Sequence, residues 1–119
     1  MPDNFIVLFI GDIVGRPGRR ALSRFLPELK KKYRPSLVIA NGENAAGGIG
    51  LTEEIARELL LQVDVLTSGN HIWDKKEVFN YLEKEPRLVR PANYPEGNPG
   101  HGYHIFENED GIKAAILNL

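Results

Sequence analysis

The 119-residue chain carries 15 Lys plus Arg against 16 Asp plus Glu, a formal net charge of −1, with 42% hydrophobic and 26% charged residues, a balance that suits one globular domain. There is no cysteine, which excludes a disulfide framework, a thiolate metal site and a cysteine nucleophile. The densest basic stretch, Lys30-Lys31-Lys32 followed by Arg34, falls at the end of an expected helix, where cations suit the macrodipole, so no stable nucleic-acid binding is expected.

In chain order, the start Met1-Pro2-Asp3-Asn4 has no basic segment leading into an apolar signal region. Phe5–Ile10 is far too short to span a bilayer, so a cytoplasmic location and no membrane partner are expected. Phe5–Ile10 is a continuous apolar run bounded by Gly11-Asp12, which predicts a strand buried on both faces. Gly15, Pro17 and Gly18 predict a turn, and Ala21, Leu22, Phe25, Leu26 and Leu29 then fall at helical spacing. Pro27 predicts a kink or a second helix start within that segment. Leu37–Ala40 is a second strand, followed by a glycine-rich loop from Asn41 to Gly50. Thr52 is placed to cap a helix whose first turn holds Glu53 and Glu54 and whose apolar face is Ile55, Ala56, Leu59 and Leu60.

Val63–Thr67 predicts a third strand, running into Ser68-Gly69-Asn70-His71. Asp74 and Glu77 have capping-box spacing ahead of Val78, Phe79 and Leu82. Four prolines from Pro86 to Pro99 predict a loop, with a short strand at Leu88-Val89. Tyr103–Phe106 and Ile112–Leu117 flank Asn108-Glu109-Asp110-Gly111, the pattern of a hairpin. Strand, loop and helix three times over predict an α/β domain with a mainly parallel sheet. The chain reaches Leu119 inside a strand-like apolar run, which suggests that residues 1–119 are one part of a longer domain.

Each predicted strand runs out into a loop holding metal-competent oxygens: Asp12 after the first, Glu43 and Asn44 after the second, Asn70 with His71 after the third. In open α/β sheets such loops line one crevice where ligands bind. Carboxylates neutralise cations and amide oxygens add hard neutral donors, a set suited to magnesium, manganese or iron. Two metals about 3.5–4 Å apart can clamp a phosphate and activate a water. Taken singly, each group has a plainer reading. Asp12 can cap a helix, Glu43-Asn44 can be a solvated loop, and Asn70-His71 can be a turn with a locally bonded histidine. Their coincidence at three strand ends favours a site. His101 and His104 read as surface or structural residues. Gly11–Gly18 lacks the Gly-Lys-Ser/Thr of a P-loop and is not Gly-x-Gly-x-x-Gly, and no serine sits in a nucleophile elbow.

Gly11–Arg19, Asn41–Gly48, Ser68–Lys75 and Arg90–Pro95 together resemble the YmdB-like branch of the calcineurin-like metallophosphoesterases. The resemblance covers essentially the whole chain. It implies a four-layer α/β/β/α fold, of which residues 1–119 would be an incomplete amino-terminal part. It implies a phosphodiesterase acting on a phosphodiester or cyclic nucleotide substrate, and a homo-oligomer. It also implies two divalent or trivalent metal ions, iron or manganese first, with magnesium or zinc as alternatives. On that likeness Asp12 binds one metal, Glu43 bridges both, Asn44 and Asn70 bind the second, and His71 donates a proton to the leaving group. Val14 stands where the wider superfamily has histidine, as is usual in this branch. The family's three further metal-binding histidines would follow Leu119, and neither His101 nor His104 sits in their motifs. A non-catalytic fragment that binds nucleotide or a partner is the competing expectation.

Overall fold

The structure, a computed structural model, describes residues 4–119; Met1–Asp3, part of the stretch read above for a leader segment, lie outside it. Strand and helix alternate as β1 (Val7–Ile10), α1 (Gly15–Tyr33), β2 (Leu37–Asn41), α2 (Glu53–Leu60) and β3 (Val65–Thr67). Two 3-10 turns follow at Asn70–Trp73 and Lys76–Val78, then α3 (Phe79–Lys84) and the strands β4 (Tyr103–Glu107) and β5 (Lys113–Leu117). β1, β2 and β3 form a parallel sheet in that order, and β4 and β5 form an antiparallel hairpin. No helix of the described residues is long and apolar enough to cross a membrane.

The period of two along β2 divides the core. Val38 and Ala40 pack with Leu22 and Leu26 of α1 and with Ala56, Leu59 and Leu60 of α2. Leu37 and Ile39 pack with Val65, Val89, Ile116 and Phe106 on the other side. Helices therefore cover one face of the parallel sheet and the hairpin covers the other, giving three layers, α/β/β. β2 is buried on both faces, as its unbroken apolar run requires. β1 is not, contrary to expectation: Val7 and Phe9 are 49% and 58% exposed. The cause is position. β1 is an edge strand, and between it and β5 runs a trough of about 640 Å³ walled by Val7, Phe9, Leu37, Ile39, Ala114 and Ile116.

Other expectations are corrected by local packing. Gly15–Gly18 is the opening of α1 rather than a turn before it, and Pro17 there loses no hydrogen bond because the first turn's N–H groups have no intrahelical acceptor. Pro27 does not split α1, which runs unbroken for 19 residues; Ser23, whose carbonyl loses its donor, lies on the exposed side where water replaces it. Asp74 caps no helix: it closes the 3-10 turn, its N–H donating to the His71 carbonyl at 3.1 Å. α3 starts later, behind Val78, without a side-chain cap. β3 begins at Val65 because Asp64 is used otherwise, its carboxylate accepting from the Val38 N–H at 2.8 Å. Leu88 and Val89 form isolated parallel bridges to Leu66 and His101, which carry the sheet one step beyond β3.

The hairpin and the α2 cap form as the sequence predicts. The Asn108 side-chain oxygen accepts from the Asp110 and Ile112 N–H groups at 3.0 and 2.8 Å, while the Thr52 hydroxyl accepts from the Ile55 N–H at 3.3 Å. Thr52→Ala should lower stability by about 1 kcal/mol and Thr52→Ser should not; equilibrium urea denaturation of the two variants checks this.

Candidate metal centre

Register brings three distant loops to one level. Ile10 pairs with Ala40, and Ala40 with Leu66, so the three strands end side by side. The ladder continues past the strands: the Ile13 N–H donates to the Asn41 carbonyl at 3.1 Å and the Gly42 N–H to the Thr67 carbonyl at 3.0 Å. Gly15 ties the first loop to the second, donating its N–H to the Asn44 carbonyl at 2.9 Å. Its φ of +59° is one that glycine adopts without strain.

Four of the five sequence-predicted residues meet in one hydrogen-bonded group. The Asn44 Nδ2 lies 3.0 Å from both carboxylate oxygens of Asp12. The Asn44 Oδ1 lies 2.5 Å from His71 Nδ1. Glu43 Oε2 accepts from the His71 backbone N–H at 3.1 Å and lies 3.8 Å from His71 Nδ1. An amide donates only through nitrogen and accepts only through oxygen. With Asp12 holding the nitrogen, the oxygen must face the imidazole, so His71 must carry a proton on Nδ1 to complete the bond. That leaves Nε2 as the ring atom able to exchange a proton with a ligand.

Asn70 stands apart from this group. It is exposed at the start of the 3-10 turn and makes no side-chain hydrogen bond among the described residues. His101 and His104 are elsewhere. His101 bridges to Val89 through the backbone, and His104 lies half-buried on β4. Burial, and then the charge of Arg87, hold the His104 pKa below the ordinary histidine value.

Two contributors were not singled out by sequence. Asn41 ends β2, and its Nδ2 lies 3.4 Å from Glu43 Oε1 while its Oδ1 is buried with no partner. Arg19 donates from Nη1 to the Ala45 carbonyl at 2.5 Å and so steadies the loop bearing Glu43 and Asn44. The signal for Asn41 is a polar residue closing a wholly apolar strand; Arg19 carried none, since exposed helical arginines are ordinary.

The donor set fits a hard cation. Asp12 is bonded to Asn44 and Glu43 to His71, and the orphaned Asn41 oxygen beside Glu43 is the kind of buried acceptor that a cation or its water satisfies. Among the described residues no three His, Asp or Glu side chains form a metal-holding group by themselves.

The sequence profile of the YmdB-like proteins matches residues 8–119. The chain belongs to the YmdB-like family. It is 51% identical over 114 residues to a 2',3'-cyclic-nucleotide 2'-phosphodiesterase of Bacillus subtilis strain 168, covering 95% of this chain and 43% of that protein. The crystal structure of a phosphatase from Mycoplasma pneumoniae superposes with a TM-score of 0.87 at 36% identity, over 98% of this chain and 43% of that one. A Thermus thermophilus protein described as hypothetical superposes with a TM-score of 0.84 at 47% identity, over 93% of this chain and 43% of that one. This YmdB-like chain thus spans less than half the length of the relatives it matches.

Gly69 gives a local test of the geometry. A Cβ there would lie 2.5 Å from Glu43 Oε1, yet the Gly69 backbone, at φ −150°, is extended and open to any residue. Gly69→Ala should therefore displace the Glu43 carboxylate and release the His71 N–H while the fold persists. Faster hydrogen exchange at the His71 amide, with an unchanged far-ultraviolet dichroism spectrum, is the expected result.

Proposed function

We propose that residues 1–119 are the amino-terminal part of a single metal-dependent phosphodiesterase domain acting on phosphodiesters of the cyclic-nucleotide class. The observation that carries this reading is the convergence of Asp12, Glu43, Asn44 and His71 at the carboxyl ends of three parallel strands. The identity to a cyclic-nucleotide phosphodiesterase supports it. Asp12 would hold one metal, Glu43 would bridge the pair, and Asn44 and Asn70 would hold the second. The remaining ligands would come from the part of the protein that the matched relatives possess beyond the aligned 43%. Residues 1–119 alone, with part of the ligand shell, would bind metal weakly and be a poor enzyme.

When bound, two divalent or trivalent ions, iron or manganese first, would supply Lewis-acid polarisation of the phosphoryl oxygens and a water acidic enough to attack at neutral pH. The chain's own residues do the rest. Asp12 and Glu43 bring negative charge, and Asn44 brings a neutral oxygen that its bond to Asp12 prevents from rotating away. His71, held through Nδ1 by Asn44, presents Nε2 to the departing ribose oxygen and, with both ring nitrogens protonated, gives the Nε2 proton to it and keeps the one on Nδ1.

Two measurements on the full-length protein test these roles. Glu43→Gln should lose more metal on dialysis than Asn44→Ala, because a bridging carboxylate serves both ions; equal retention contradicts the bridge. His71→Ala should keep its metals and lose rate by about 10²–10⁴-fold, the usual contribution of a general acid. The loss should be large for ribose leaving groups and small for nitrophenolate, which departs without a proton. A uniform loss with depleted metal would make His71 a ligand or a structural residue.

A further inference from the structure

The opening turns of α1 carry four arginines, of which Arg19 is held by the Ala45 carbonyl and Arg16, Arg20 and Arg24 meet no acidic side chain among the described residues. Arg16, Arg19, Arg20 and Arg24 line a groove of about 550 Å³ together with Ser23 and with Glu58 of α2. None of the four arginines is in an ion pair among the described residues, Glu58 included. Their positions oppose helix stability. The first turn of α1 has no acidic residue, and cations near a helix N-terminus are repelled by the macrodipole. Arg16, Arg20 and Arg24 are also spaced i, i+4, i+8, where like charges destabilise. Where a sequence breaks a local rule, a functional surface is the place to look for the compensating gain. The basic run at Lys30–Arg34, by contrast, sits at the favourable end of the same helix.

The first residues of α1 are bonded to the loop that bears Glu43 and Asn44. Arg19 donates to the carbonyl of Ala45, next to Asn44, and Gly15 donates to the carbonyl of Asn44 itself. From there Arg16, Arg20 and Arg24 lead away along the helix, with about 6 Å of axial rise between successive guanidinium-bearing residues. A row of evenly stepped, rigidly based guanidiniums matches a repeating phosphate backbone, and arginine recognises phosphate through paired N–H donors. A free mononucleotide has one phosphate to offer, and the centre would consume it.

We propose that the substrate is the cyclic-phosphate end of a single-stranded oligoribonucleotide, whose upstream phosphates lie along Arg16, Arg20 and Arg24. This rests on the phosphodiesterase reading above and extends it to the part of the substrate beyond the reacting group. It departs from the expectation of no stable nucleic-acid binding, which rested on the net charge of −1 and on the place of Lys30–Arg34 at a helix end.

The test uses the full-length protein and separates binding from chemistry. Binding is read by fluorescence anisotropy of a short labelled oligoribonucleotide ending in a 3'-phosphate, which has no cyclic diester to open, with the metals removed and over a range of salt. Arg20→Ala/Arg24→Ala should weaken binding and reduce the slope of log K against log salt by roughly 1.4, about 0.7 for each phosphate that is no longer neutralised. Arg20→Lys/Arg24→Lys should keep the slope, which guards against weakening through misfolding. In the hydrolysis assay, the Ala variant should lose kcat/KM for an oligoribonucleotide with a 2',3'-cyclic end and retain it for a 2',3'-cyclic mononucleotide. Unchanged oligoribonucleotide affinity in the Ala variant overturns the proposal, as does competition by an acidic polypeptide as effective as that by RNA. If instead the oligoribonucleotide binds through these arginines but neither substrate is cleaved, the track stands and the phosphodiesterase reading fails.

Discussion

The rotation of one amide governs the candidate centre. Asn44 lies in the second strand-end loop, Asp12 in the first and His71 in the third. Because Asp12 offers only acceptors, Asn44 can approach it only through nitrogen. Its oxygen is then committed to the opposite side, where it meets His71. One bond thus fixes the position of two loops, the tautomer of a histidine and the direction of the amide oxygen. Reversing the amide would set its oxygen against the Asp12 carboxylate, replacing attraction with repulsion there. The register of β1, β2 and β3 brings the residues within reach; the amide selects the arrangement they adopt.

Much of this architecture is legible in the chain. Continuous apolar runs ending in Gly11-Asp12, Asn41-Gly42 and Ser68-Gly69 mark three strands, and three strands separated by helical periodicity leave little alternative to a parallel sheet. What periodicity cannot show is which strand lies at an edge. Phe5–Ile10 and Leu37–Ala40 are equally apolar, yet β1 keeps Val7 and Phe9 open to the trough while β2 is enclosed on both faces. The difference lies in strand order and in what packs above, and neither is a property of the segment itself. Pro27 and Asp74 fail as signals for a related reason. A proline on a solvated helix face disrupts little, and an aspartate placed to cap a helix does nothing when the fully buried Ile72 and Val78 draw the backbone into successive 3-10 turns.

The site was readable at the level of residue type and loop, and less so at the level of partnership. Asp12, Glu43, Asn44 and His71 are found where strand ends place them, but the pairing of Asn44 with both Asp12 and His71 depends on rotamers that sequence does not encode locally. Asn70 shares its loop with His71 and still stands outside the bonded group, because consecutive residues in a 3-10 turn point in different directions. Asn41 and Arg19 act through contacts with Glu43 and Ala45 that only the folded loop creates.

The parallel connectivity of the sheet has a further consequence, in time rather than in space. The hairpin of β4 and β5 joins neighbours in the chain and can close within about 1–10 μs. The bonds of the candidate centre cannot, since Asp12 and Asn44 are 32 residues apart and Asn44 and His71 are 27. Each must await a strand, a crossover helix and the next strand, and contacts of long sequence separation are the slow ones. No partly collapsed state with only two strands in register holds more than two of the three loops together. The bonded group therefore comes into being with the complete sheet, and in a newly made chain Asp12, Asn44 and His71 meet only once that sheet has formed.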